Sequence, residues 1–169
     1  MPDIYSCIVD RVVYPILIKN SNCAYLTLYY YTEHSDSILH TDSKSLLYFK
    51  SQTDMEHFCE FNNLTIEGDI FEYDFDTPIT NPIDYRCILE NWNLMNTIAS
   101  TLGLLFEGDR EEYNEVYDLL FRLNTPMEPI RPTYDVADHK LRLIQGVFQK
   151  KDQFFERFCY IANEGSMTV

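Results

Sequence analysis

Residues 66–102 read IEGDIFEYDFDTPITNPIDYRCILENWNLMNTIASTL, and the fold class follows from the change of period halfway along this run. From Ile66 to Asp76 the residues alternate: Phe71, Tyr73 and Phe75 share one face, and Glu72, Asp74 and Asp76 share the other. That is the period of a strand with one packed side and one charged side, with about 6.5 Å between successive carboxylates. From Pro82 onward, Ile88, Leu89, Trp92, Met95, Ile98, Ala99 and Leu102 recur at spacings of three and four, the stripe of an amphipathic helix. Asn81 is expected as its N-cap, Pro82 at its first position and Gly103 as its stop, giving a helix about 31 Å long.

Upstream of this run the chain reads as strands. Tyr5 to Lys19 is rich in β-branched and aromatic residues but is interrupted by Pro15, which suggests an edge strand or two short strands divided by a bend. After an Asn20-Ser21-Asn22 turn, Ala24 to Tyr31 alternates Tyr25, Thr27, Tyr29 and Tyr31 against Leu26, Leu28 and Tyr30, so the phenols are expected to cover a half-wet face. A polar loop from Glu33 to Lys44 precedes a third strand, Ser45 to Lys50. Thr53 and Glu56 then form the capping box of a short helix that ends near Asn62-Asn63.

Downstream, a second helix is expected after the Glu107-Gly108-Asp109 turn. Tyr113, Val116, Tyr117 and Leu120 make its inner stripe, and Glu111, Glu112, Glu115 and Asp118 lie mostly outside it. Asn124 to Pro132, with three prolines, reads as an extended loop. The last helix is expected from Val136 or Ala137 to Ile161, carried by Leu141, Ile144, Phe148, Phe155, Phe158 and Ala162, with residues 163–169 as a frayed tail. The class is therefore α+β: an N-terminal antiparallel or mixed sheet of about four strands with one short helix, followed by three C-terminal helices packed on it. At 169 residues, 1–169 reads as a single domain able to bury its core without disulfides.

Charge narrows the function classes. Fifteen of the 27 carboxylates lie between Ile66 and Asp135, opposed there only by Arg86, Arg110, Arg122 and Arg131. Lys140, Arg142, Lys150, Lys151 and Arg157 make the final segment the one basic part of a chain whose net charge is -14. A field of one sign repels nucleic acid and anionic membrane and speeds encounter with basic proteins. Solubility alone also accounts for an acidic surface, and carboxylates at helix N-termini favour the helix. The five cysteines are odd in number, form no CxxC pair and have apolar neighbours, so they read as buried thiols of a reducing compartment. The start Met1-Pro2-Asp3-Ile4-Tyr5 is unlike a signal peptide, and a cytoplasmic location is expected.

No catalytic motif is found: there is no GxSxG, Walker loop, HExxH or GxGxxG, and His34, His40, His57 and His139 never share a helix face at ligand spacing. Trp92 lies in the helical stripe and is expected to pack in the core instead of lining a ligand pocket. The row Glu72, Asp74 and Asp76 could supply oxygens to a divalent ion in a metal-dependent hydrolase. A strand, however, holds ligands in line where a metal needs them to converge. The same row is better shaped to meet Lys or Arg on another protein, so no enzyme activity, cofactor or metal is expected.

The segments Tyr73-Asp74-Phe75-Asp76-Thr77-Pro78, Ile88-Leu89-Glu90-Asn91-Trp92-Asn93-Leu94, Thr97-Ile98-Ala99 and Leu105-Phe106-Glu107-Gly108-Asp109 resemble those of immunity proteins of bacterial polymorphic toxin systems, in particular of contact-dependent growth inhibition. The resemblance spans mainly residues 70–125. It implies a cytoplasmic protein that binds the C-terminal toxin domain of a large secreted effector, often a basic nuclease such as a tRNase, and neutralises it by stoichiometric association. It supplies no matched binding residues. Charge and expected exposure select Glu72, Asp74, Asp76, Glu107, Asp109, Glu111, Glu112 and Glu115 as the partner-binding set. Reversing Asp74, Asp76 and Glu112 together is expected to slow association and leave folding intact. A general acidic adaptor, without one dominant partner, is the remaining alternative.

Overall fold

Val12–Asn20 (β1) runs through the interior of the sheet in a computed structural model that describes residues 5–125 and 133–161. One side of β1 pairs antiparallel with Cys23–Tyr31 (β2); the other pairs in parallel with Thr65–Ile66 (β5) and then with Phe71–Asp74 (β6). Asp36–Ile38 (β3) adds to the far side of β2, so the sheet has five strands and is mixed.

Pro15 neither ends β1 nor confines it to an edge. The carbonyls of Val13 and Lys19 accept from Glu67 and Phe75, so alternate residues including Pro15 aim their backbone at the β5–β6 side. Pairing there covers Val12 and Val13, then resumes at Ile16. The proline, which has no N–H to donate, occupies the gap. On the opposite side β1 turns into β2 through Ser21 and Asn22, with φ of 51° and 62°, as a tight two-residue hairpin demands.

Both faces of the sheet are covered. One core gathers Val13, Leu28, Tyr30, Phe49 and Leu64 beneath Gln52–Phe61 (α1), whose Met55 and Cys59 are buried. The other gathers Ile16, Ile18 and Phe75 beneath Tyr85–Leu102 (α2). The phenol face is half wet as expected: Tyr25 and Tyr29 lie half-buried against the α2 core, Tyr31 is exposed, and between them Thr27 is wholly buried with its hydroxyl donating to Leu47 O at 2.6 Å.

Two caps differ from expectation. Helix α1 begins after Ser51, whose Oγ accepts from Asp54 N, because Ser51 is the residue in extended conformation, two positions before Thr53. Helix α2 begins after Asp84, whose carboxylate accepts from Cys87 N at 3.0 Å. Asn81, joined to Pro82 by a cis peptide bond, instead clamps Val136 by donating to its carbonyl and accepting from its N–H. Gly103 ends α2 in the left-handed region, φ 67°, while Leu104 N returns to Ala99 O. All seven stripe residues of α2 are buried.

The C-terminal third holds the largest departure. Asn114–Leu123 (α3) packs Val116 and Leu120 inward as expected, after short 3-10 turns at Glu107–Asp109 and Glu111–Tyr113. The single long final helix is instead Asp138–Phe148 (α4), Asp152–Phe155 (α5) and a strand, Phe158–Tyr160 (β7), parallel to Leu46–Tyr48 (β4). Phe148, Phe155 and Phe158 do sit at helical spacings. Phe158, however, stacks on Tyr25, with ring centroids 4.6 Å apart, and Leu46 N bonds Arg157 O, contacts that a continued helix would forfeit. Ala162, the tail from 163 and most of the Pro-rich loop, 126–132, lie outside the described residues. No helix among the described residues is long and apolar enough to cross a membrane.

Candidate functional site

The carboxylate row of β6 is engaged within the protein. Glu72 pairs with Lys19 Nζ at 2.7 Å, a hydrogen bond that raises the ammonium above its ordinary range. Asp74 Oδ1 accepts from Asp76 N at 2.9 Å, and Asp76 Oδ1 accepts from Ser21 N at 2.7 Å, bracing the β1–β2 turn. The row is also shorter than its alternation implies, since β6 stops at Asp74. The strand's other face is graded: Phe75 is buried, Tyr73 is half-buried, and Phe71 is exposed. Reversing Asp74 and Asp76 would remove two backbone caps, so the expectation that folding survives that change does not fit these contacts. Among the described residues no three His, Cys, Asp or Glu side chains converge to hold a metal ion.

The second acidic group is better presented. Glu107, Asp109, Glu111, Glu112, Glu115 and Asp118 fall within twelve residues, with only Arg110 among them. The turn carrying the first two is set by Gly108: a Cβ there would lie 2.5 Å from the Phe106 ring and 2.8 Å from Trp92 Nε1, so only glycine lets the chain close over the core. Trp92 is buried, edge-on to Phe106, Tyr113 and Phe148, as its helical spacing implies. Arg110 bridges Glu107 at 3.0 Å and Glu112 at 3.7 Å, and Tyr113 donates to Glu107. Lys140 of α4 reaches Glu115 at 2.8 Å, and that hydrogen bond lowers the Glu115 carboxyl below its ordinary range. Asp109 and Glu111 project into solvent, and beside them Leu105 is 98% exposed. No hydrogen bond or ion pair among the described residues joins this group to the β6 row, so the eight selected carboxylates form two sets.

A cleft of about 740 Å3 opens between the end of β6, the first half of α2 and α4. Phe75, Ile88 and Phe148 contribute its apolar lining, and Asp76, Arg142, Gln149 and Lys151 its polar lining. Cys87 and Asn91 line it from α2. The Cys87 thiol donates to Asp74 O, with Thr77 Oγ1 also 3.4 Å from the sulfur, and burial pushes its pKa up, the reverse of what a nucleophilic thiol needs. Asn91 is a residue the sequence reading passed over. Its signal was a polar side chain three and four positions from Ile88 and Met95, inside an otherwise apolar stripe. The five cysteines also divide: Cys59 is buried and Cys87 partly so, whereas Cys7, Cys23 and Cys159 are exposed, against the expectation that all five are buried.

The sequence matches no protein-family model and no curated protein. Among solved structures, the chain is similar in fold to the C-terminal domain of SatS, determined in complex with bromine. The TM-score is 0.58 and the identity 11%, over 95% of this chain and 98% of that one. At that identity the likeness speaks for the shared fold alone.

Proposed function

We propose that this chain is an immunity-type protein that neutralises a basic toxin domain by stoichiometric association and catalyses no reaction. The toxin class that fits is the C-terminal nuclease of a secreted contact-dependent growth inhibition effector, met in the cytoplasm of the producing cell. The observation carrying this reading is the acidic surface from Glu107 to Asp118, with the exposed Leu105 beside it. Dense carboxylates attract a basic surface before contact, and an exposed leucine at their margin offers an apolar anchor. Exposed ion pairs contribute under about 1 kcal/mol each, whereas close pairs packed in an interface couple by roughly 1.5–7 kcal/mol. Asp109 and Glu111, projecting into solvent, are placed to make such pairs, and the β6 row serves the fold.

A pull-down with the tagged protein from its source cells, washed at low and then high salt and read by mass spectrometry, tests this. One near-stoichiometric basic partner mapping to the C-terminal part of a large secreted protein is expected. Recovery of background proteins alone, from cells shown to express such toxins, would overturn the reading.

A further inference from the structure

We propose that the cleft between β6, α2 and α4 is a binding site for a small amphiphilic carboxylate: an apolar body bearing one anionic group and an N–H or O–H donor. This does not rest on the immunity reading and concerns a different surface.

Asn91 is 5% exposed, and its orientation is fixed because only its Nδ2 can donate to Asp74 O, at 2.8 Å. Its Oδ1 is then left buried without a donor among the described residues. Buried acceptors without partners are uncommon in native proteins, and each costs stability. Asn20 Oδ1 is in the same state but does not line the cleft. Because Oδ1 is closed off from solvent, a ligand donor in the cleft would satisfy it after a shift of the Asn91 side chain, which lines the cleft.

The cationic half of the site is as specific. Arg142 lines the cleft from α4 and makes no ion pair or hydrogen bond among the described residues, in a chain of net charge -14. Lys151 donates to Phe75 O at 2.5 Å, which leaves its charge beside the same opening, and Asp76 is the carboxylate among the lining residues. Two cations and one anion leave room for a single negative charge. The planar guanidinium suits a carboxylate, which it can hold by two parallel hydrogen bonds. Phe75, Ile88 and Phe148 supply an apolar floor, and about 740 Å3 falls in the range of small-molecule sites.

The test is a titration of the 15N-labelled full chain with N-acetyl-L-phenylalanine, which carries the carboxylate, the N–H and an apolar ring. N-acetyl-L-phenylalaninamide serves as its uncharged counterpart. Saturable shifts of the Asn91 side-chain amide and the Gly146 backbone amide are expected. Affinity should be about tenfold weaker for the amide and for Arg142→Gln, as removing one charge-assisted pair implies. Because Arg142 is exposed, that variant should melt with the wild type, which separates lost binding from lost fold. Absence of saturable shifts at those two amides, equal response to the amide, or undiminished affinity in folded Arg142→Gln would each overturn the proposal.

Discussion

Replacing Asn91 by leucine should stabilise the protein, which is unusual for a change in the middle of a buried helix. Three terms decide it. Removing the donorless Oδ1 relieves about 1–3 kcal/mol of uncompensated desolvation. Losing the Nδ2 bond to Asp74 O costs about 1 kcal/mol, softened because Cys87 Sγ still approaches that carbonyl at 3.4 Å. A leucine of similar size adds about 1 kcal/mol of apolar burial, offset in part by repacking against its neighbours. The net is a gain of about 1 kcal/mol, or a rise of about 2–4 °C in Tm for a chain of this length. Urea and thermal unfolding of wild type, Asn91→Leu and Asn91→Ala would read it. The alanine variant, which leaves a void, should fall below wild type by about 2 kcal/mol. If Asn91→Leu were itself less stable by about 1 kcal/mol or more, Oδ1 would have to be satisfied in the folded protein, and the argument that Asn91 is retained at a cost to stability would fail.

Other outcomes follow from named contacts. Thr27→Val leaves Leu47 O without its side-chain donor in a fully buried position and should cost about 1–2 kcal/mol in urea unfolding, with an unchanged m-value. The Glu115 carboxyl, lowered by Lys140, should titrate by carbon NMR below the ordinary glutamate value and return towards it in Lys140→Ala. Because the folded value is the lower one, the contribution is present above the unfolded value of about 4.3 and is lost as pH falls through the folded one. Burial pushes the Cys59 thiol up to about 12. Alkylation at neutral pH followed by peptide mapping should therefore label Cys23 and Cys159 quickly and Cys59 only after unfolding.

Elements whose local pattern agrees with their packing were legible in the sequence. Every residue in the Ile88 to Leu102 stripe is buried, and Gly103 stops the helix where its left-handed conformation is needed. What could not be read depends on distant partners. Asp36–Ile38 lies in a polar stretch and becomes a strand by pairing with β2, with Thr101 Oγ1 accepting from Ile38 N. Phe158–Tyr160 fits a helical stripe until β4 offers it a ladder. The candidate site follows the same rule. Composition located the acidic segments, but it could not show that Asp74 and Asp76 turn back onto backbone N–H groups while Asp109 and Glu111 project into solvent. The cleft was illegible because its walls come from three separated segments and its most informative residue sits within an apolar stripe.

The most direct test of the binding account is the association rate of the captured partner with wild type and with Asp109→Lys, Glu111→Lys, Glu112→Lys combined, measured from low to physiological salt. These side chains are exposed and cap no backbone group among the described residues, and the Arg110–Glu112 pair that is lost is an exposed one contributing under about 1 kcal/mol, so the triple variant should stay folded with a Tm within a few degrees of wild type. The account predicts an on-rate at least about tenfold slower at low salt, with the difference shrinking as salt screens the field. An unchanged on-rate and salt dependence in the folded triple variant would contradict it.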